Sequence, residues 1–187
     1  MTCYFNLQIA SSYIRNGDVI AYPTEAVFGI GCLPNCDSAL KKVIEIKKRN
    51  VNKGMILISH NSELFRKYVN FDEISNDDWL YMNKFWPGPY TFILPAKPEL
   101  SFYIRGNHPT VAVRVTSHPL VKKLCEMGNE PLISTSANLS SEEPCRTYEE
   151  TVRRMGNFVD YVVCGTTLGY DKPSTIVDLK TKKILRN

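Results

Sequence analysis

The chain has 187 residues, of which 43% are hydrophobic and 22% charged, and a formal net charge of +4. That length and balance fit one globular domain, residues 1–187, with room for a substantial core, and leave little for a second. No apolar run is long enough to span a bilayer, and Met1-Thr2-Cys3-Tyr4 lacks the charged start and apolar stretch of a signal peptide, so a cytoplasmic chain without membrane contact is expected. The six cysteines contain no CxxC pair and no histidine at zinc-finger spacing. Reduced, mostly buried thiols and no metal site are therefore expected.

Helical and strand patterns alternate along the chain. Leu7, Ala10, Tyr13 and Ile14 keep helical spacing up to Gly17, and Val19-Ile20-Ala21-Tyr22 reads as a strand ended by Pro23. Tyr22 to Gly31 then reads as a turn presenting Thr24 and Glu25, followed by two glycines that let backbone approach a ligand. Asp37 is placed to cap a helix with Leu40, Val43 and Ile44 on its apolar stripe and Lys47 to Arg49 at its polar end. A strand at Met55 to Ile58 precedes short helices at Ser62 to Tyr68 and Ser75 to Phe85, the second stopped by Trp86-Pro87-Gly88-Pro89. Strands follow at Tyr90 to Leu94 and Val111 to Val115, and a helix runs from Pro119 to Gly128. Pro131 to Ser134 is the next strand. Thr147-Tyr148-Glu149-Glu150 is a capping box for a helix to Met155, and strands at Val159 to Val163, Thr175 to Leu179 and Lys183 to Leu185 close the chain. This alternation predicts an α/β (α+β) fold, a twisted mixed sheet with helices on its faces.

Chemically suggestive residues fall where strands and helices end. Ser134-Thr135-Ser136-Ala137-Asn138-Leu139-Ser140 crowds hydroxyls and an amide after an apolar strand, which suits either an anion site or a self-satisfied turn. Lys47-x-Arg49, with Lys53 beyond it, offers three cations near a helix end. They fit phosphate or carboxylate, or a favourable placement against the helix dipole. Arg114 ends an apolar strand, and Ser174 stands at the start of another. The chain has neither a G-x-x-x-x-G-K-[ST] loop nor a G-x-G-x-x-G fingerprint, and its three histidines form no triad or metal spacing. Hydroxyl, amide, Lys and Arg groups without a nucleophile suit catalysis by positioning and charge stabilisation, as in phosphoryl and nucleotidyl transfer.

Together the motifs Ala21-Tyr22-Pro23-Thr24-Glu25-Ala26-Val27-Phe28-Gly29, Lys47-x-Arg49 with Lys53-Gly54, Trp86-Pro87-Gly88-Pro89, Ala112-Val113-Arg114-Val115-Thr116-x-His118-Pro119, the Ser134 to Ser140 segment and Pro173-Ser174-Thr175 resemble the YrdC family over essentially the whole length. The chain is most similar to the family's short bacterial synthases. The resemblance implies a YrdC-like fold and the reaction of L-threonine, bicarbonate or CO2, and ATP to threonylcarbamoyl-AMP and pyrophosphate, feeding threonylcarbamoyladenosine modification of tRNA. It implies catalytic roles for Lys47, Arg49, Ser136 and Asn138. ATP would be lined by these four with Lys53, Thr110, Pro144 and Arg186, and threonine by Thr24, Arg114, Ser134 and Ser174. Mg²⁺ would arrive with ATP, and downstream threonylcarbamoyl transferase proteins would take the product. Asn50 departs from the family pattern, which has proline there. Two other readings stand beside this one: a module binding tRNA or double-stranded RNA through a basic concave face, and a carbamoyl-adenylate-handling domain like those within larger carbamoyltransferases.

Overall fold

A computed structural model describes residues 2–187, with side chains from Asn6 onward. Its strands are β1 (Ile20–Pro23), β2 (Phe28–Gly31), β3 (Ile56–Ser59), β4 (Tyr90–Pro95), β5 (Thr110–Val115), β6 (Leu132–Ser136), β7 (Tyr161–Val162), β8 (Thr175–Asp178) and β9 (Ile184–Arg186). Its helices are α1 (Thr2–Arg15), α2 (Asp37–Ile46), α3 (Asn76–Met82), α4 (Phe102–Arg105), α5 (Pro119–Gly128) and α6 (Tyr148–Met155). The strands form one mixed sheet in the order β7-β1-β2-β6-β3-β5-β4-β8-β9. Parallel pairs (β1 with β7, β3 with β5, β4 with β8) are interleaved with antiparallel ones.

Period-two alternation sends successive side chains to opposite faces, and both faces are buried. Ile20, Tyr22, Ile58 and Leu132 point to the face covered by Leu7, Ala10 and Ile14 of α1 and Leu120, Val121 and Leu124 of α5. Their neighbours Val19, Ala21, Leu57 and Ile133 point the other way, into a larger core with Leu40 and Val43 of α2 and Met155 of α6. Among the described residues no helix is long and apolar enough to cross a membrane.

Several boundaries differ from those the sequence suggests. The Tyr22 to Gly31 segment is a hairpin and not a bare turn, with Tyr22 opposite Gly29 and Ile20 opposite Gly31. Its glycines are what make β2 hard to read and what allow it to form. A Cβ on Gly31 would lie 1.7 Å from the Ile133 carbonyl oxygen, which accepts the Tyr22 hydroxyl at 2.9 Å. Cys36, not Asp37, is the N-cap of α2, and Asp37 takes the first turn, where its charge favours the helix dipole. Gly128 is the last residue of α5, and Asn129 (φ 49°) adopts the left-handed cap. The α6 capping box is half-formed: Thr147 accepts from the Glu150 N–H at 3.1 Å, but the Glu150 carboxylate reaches the Arg146 N–H at 2.9 Å, one residue before the cap. Ser62–Phe65 is a 3-10 turn, β7 shrinks to two residues, and α4 has no sequence signal beyond its apolar Phe102 and Ile104.

Candidate active site

β6 sits at a seam. Its first half pairs with β3, Ile56 opposite Ser134, and its second half pairs with β2, Gly29 opposite Ser136. The two serines therefore emerge where the neighbouring strands diverge, on the wall of a cavity of about 610 Å³. A Cβ on Gly29 would crowd the Ser134 hydroxyl at 3.2 Å, so glycine keeps the space beside it open. Ten of the twelve residues expected at the site line this cavity: Thr24, Arg49, Lys53, Thr110, Arg114, Ser134, Ser136, Pro144, Ser174 and Arg186.

Lys47 and Asn138 do not line it. The Lys47 ammonium donates to Ser136 O (2.8 Å), Asn138 O (2.7 Å) and Asn138 Oδ1 (2.6 Å), which engages all three of its protons. Asn138 is equally saturated. Its Nδ2 donates to Leu139 O (2.9 Å) and Glu142 O (2.7 Å), and its Oδ1 also accepts the Ser136 hydroxyl at 2.6 Å. In this arrangement both residues hold the Ser136 loop from behind rather than face a ligand. Burial, and secondarily the Arg49 guanidinium, pulls the Lys47 ammonium down to about 8, with Cys145 and Glu142 opposing in part.

The chain separates Lys47 from Arg49 by a Schellman turn at the end of α2. The Arg49 N–H bonds Ile44 O at 3.0 Å and the Lys48 N–H bonds Glu45 O at 2.9 Å, which puts Lys48 at φ 43°. Arg49 thereby turns to the cavity, where its Nε donates to Gly54 O at 2.9 Å. Gly54 (φ 62°) and Gly106 (φ 62°) let this loop lie against the end of α4, since a Cβ on Gly106 would meet Asn52 O at 2.3 Å. Asn50 occupies the place of the family proline at φ −63°, a value proline itself adopts, and its side chain accepts the Asn52 N–H at 2.9 Å. A local side-chain bond thus stiffens the loop where a ring otherwise would.

Four arginines line the cavity, Arg49, Arg105, Arg114 and Arg186, of which Arg105 is held by Leu100 O and His108 O at 3.2 Å each. Burial first, then the Arg114 and Arg49 charges, lowers the pKa of Arg186, while Arg49 is lowered by burial. Arg186 is anchored on Ser174 O (2.7 Å) and Ser174 Oγ (3.1 Å), and Ser174 Oγ also lies 2.8 Å from Thr91 Oγ1. Among the described residues Arg114 pairs with a single acid, Glu25, with Nη2 to Oε2 at 3.4 Å. The Thr24 hydroxyl donates to Val27 O at 2.8 Å and the Ser136 hydroxyl to Asn138 Oδ1, so both present lone pairs to a ligand. The guanidinium donors therefore suit anionic oxygens, and these hydroxyls suit an ammonium or hydroxyl donor.

Glu25, the carboxylate that the turn after β1 presents beside Thr24, also lines the cavity, although it is not among the candidate site residues. Arg146 carries no signal in the sequence beyond its charge. It donates to Asp171 O (2.8 Å) and to Tyr170 O (3.4 Å), fastening the segment between β7 and β8 that brings Lys172 and Ser174 to the cavity. His118 supports the same segment from below. Its Nδ1 accepts the Leu120 N–H (3.3 Å), which leaves the proton on Nε2, 3.0 Å from Thr166 O. Burial lowers its pKa.

The Sua5/YciO/YrdC family model, described as telomere recombination, matches residues 12–187. The chain belongs to this family. A threonylcarbamoyl-AMP synthase of Vibrio campbellii is 42% identical over 181 residues, covering 97% of this chain and 98% of that protein. A threonylcarbamoyl-AMP synthase of Klebsiella pneumoniae is 44% identical over 177 residues, covering 95% of this chain and 93% of that protein. Among solved structures, P. abyssi Sua5 complexed with L-threonine superposes with a TM-score of 0.86 at 29% identity, covering 93% of this chain and 51% of that one. The chain thus spans about half of Sua5, and the mixed sheet with flanking helices is the family's fold.

Proposed function

We propose that this chain, as a single YrdC-like domain over residues 1–187, is an L-threonylcarbamoyladenylate synthase, a nucleotidyltransferase acting in the cytoplasm. The observation that carries the reading is the set of three arginines, Arg49, Arg114 and Arg186, lining one cavity with Thr24, Ser134 and Ser174. The relatives' names and the threonine-bound Sua5 support it. The threonine amine first becomes a carbamate, and a carbamate oxygen then attacks the α-phosphorus of ATP while pyrophosphate leaves. The reactants bring a carboxylate, a carbamate and a triphosphate together. Such mutual repulsion is overcome by fixed cations in a low-dielectric cleft and by alignment of the reacting atoms.

In this reading Arg114 clamps the threonine carboxylate, Thr24, Ser134 and Ser174 complete the amino-acid pocket, and Arg49, Lys53, Thr110, Ser136, Pro144 and Arg186 line the nucleotide. Lys47 and Asn138 act by holding Ser136 and the loop behind it. Mg²⁺ enters on the ATP phosphates, because the two carboxylates lining the cavity are engaged: Glu25 on Thr116 and Arg114, Asp178 on the Thr181 N–H at 2.9 Å. The product passes to downstream threonylcarbamoyl transferase proteins, with tRNA as the final acceptor. The deciding experiment is pyrophosphate release from ATP by the purified chain. Release should require both threonine and bicarbonate; release that ignores either one overturns the assignment.

A further inference from the structure

Glu25 is a buried acid for which the reaction described above has no use. Its side chain is 1% exposed, its Oε1 accepts the Thr116 hydroxyl at 2.6 Å, and its Oε2 lies 3.4 Å from Arg114 Nη2. Neither Glu25 Oε2 nor Arg114 Nε has a hydrogen-bond partner among the described residues, although both atoms are buried. Buried polar atoms without partners are costly, and the Arg114 Nε–H is a donor that the carboxylate of a ligand can satisfy.

We propose that Glu25 is a positioning residue that aims Arg114 at the carboxylate of the amino-acid substrate, an inference that rests on the synthase reading. Arg114 shares the cavity with Arg49 and Arg186, which carry the same charge, and among the described residues Glu25 is the one carboxylate paired with it. Glu25 itself is held from both ends. Its backbone carbonyl accepts the Leu168 N–H (3.0 Å) and the Tyr170 N–H (3.2 Å). The Thr116 hydroxyl that bonds its side chain in turn accepts the His118 N–H at 3.1 Å. So fixed, the carboxylate cannot follow the guanidinium into a closed, two-bond pair. Such a pair would occupy two of the donors that a substrate carboxylate needs. At 3.4 Å Glu25 supplies direction and charge balance and leaves those donors free.

The test uses the purified full chain, with L-threonine affinity by calorimetry, separate KM values for threonine and ATP, and the melting midpoint. Glu25→Gln keeps the shape and the acceptor for Thr116 but removes the charge. It should weaken threonine binding roughly 10- to 100-fold, the size expected when one charge-assisted hydrogen bond is misaligned, with the ATP KM within about threefold of wild type. Thr116→Val loosens Glu25 without touching its charge and should weaken threonine binding by about 3- to 10-fold; it decides the matter if the glutamine variant does not fold. Threonine affinity that is unchanged or tighter while only the melting midpoint falls would make the pair purely structural and overturn the proposal. If the wild-type chain neither binds threonine nor releases pyrophosphate with it, the synthase reading falls and this proposal with it. Wild-type activity beside unchanged variant affinity sinks the proposal alone.

Discussion

Lys47 and Arg49 stand two residues apart in one motif, yet the structure gives them opposite environments, and their alanine-scale perturbations should separate. Replacing Lys47 with Met removes the donor to Ser136 O, Asn138 O and Asn138 Oδ1. Ser136 O keeps the Asn138 N–H at 3.1 Å and Asn138 Oδ1 keeps the Ser136 hydroxyl, so Asn138 O is the acceptor left alone. One orphaned buried carbonyl costs about 1–3 kcal/mol, and relief from burying an ammonium offsets part of the lost charged bonds, for a net near 2 kcal/mol. At about 2–4 °C per kcal/mol for a chain of this size, the melting midpoint should fall by about 4–8 °C. Arg49→Ala loses one protein hydrogen bond, to Gly54 O, and releases a partly buried charge. Its midpoint should stay within about 2 °C of wild type, while ATP affinity falls on the order of 100-fold through lost charge-assisted bonds to phosphate. Calorimetric nucleotide binding and differential scanning of both variants supply the comparison. Two variants that melt alike, or an Arg49 variant that melts early and still binds ATP, would refute the division of labour drawn from these hydrogen bonds.

Asn138→Ala removes four hydrogen bonds within the protein and should melt several degrees early, whereas Ser136→Ala, which loses one donor bond on the cavity wall, should melt near wild type and lose pyrophosphate release; parallel thermal and activity curves would contradict this. Lys48→Gly relieves a left-handed backbone at φ 43° and should raise stability by about 1 kcal/mol in urea titration with ATP use unchanged. Asn50→Pro suits the observed φ of −63° and should leave stability within about 1 kcal/mol of wild type, the rigid ring replacing the bond to the Asn52 N–H. The Lys47 ¹³Cε resonance should titrate with a midpoint near 8 rather than at the ordinary 10.5. The folded chain then gives up this proton between those values while the unfolded chain keeps it, so the group on its own favours folding increasingly as pH rises through that window.

The parts of this architecture that were legible in the sequence are those where one local signal decides the outcome. The α5 start at Pro119, the Thr147 cap and the apolar runs of β3, β5 and β6 each rest on the residue's own backbone preference or on simple periodicity. β2 was not legible, because Phe28-Gly29-Ile30-Gly31 carries two residues that disfavour strands and earns its place only through close approach to Ile133 and Ser134 from a strand a hundred residues later. The site divides in the same way. Residue types that suit anions could be picked out one by one, and ten of the twelve do line one cavity. What sequence spacing does not carry is the direction of each side chain. A single left-handed residue, Lys48, sends Lys47 behind the Ser136 loop and Arg49 into the cavity. Charge type in the Lys-x-Arg motif is thus a local property, but the split between supporting and ligand-facing cations is a tertiary one, set by which oxygens the fold leaves in need of a donor. Glu25 comes to Arg114 in the same tertiary way: its neighbour Thr24 marks the turn, but only the sheet order, with β6 and β3 between the hairpin and β5, brings the acid and the guanidinium to 3.4 Å.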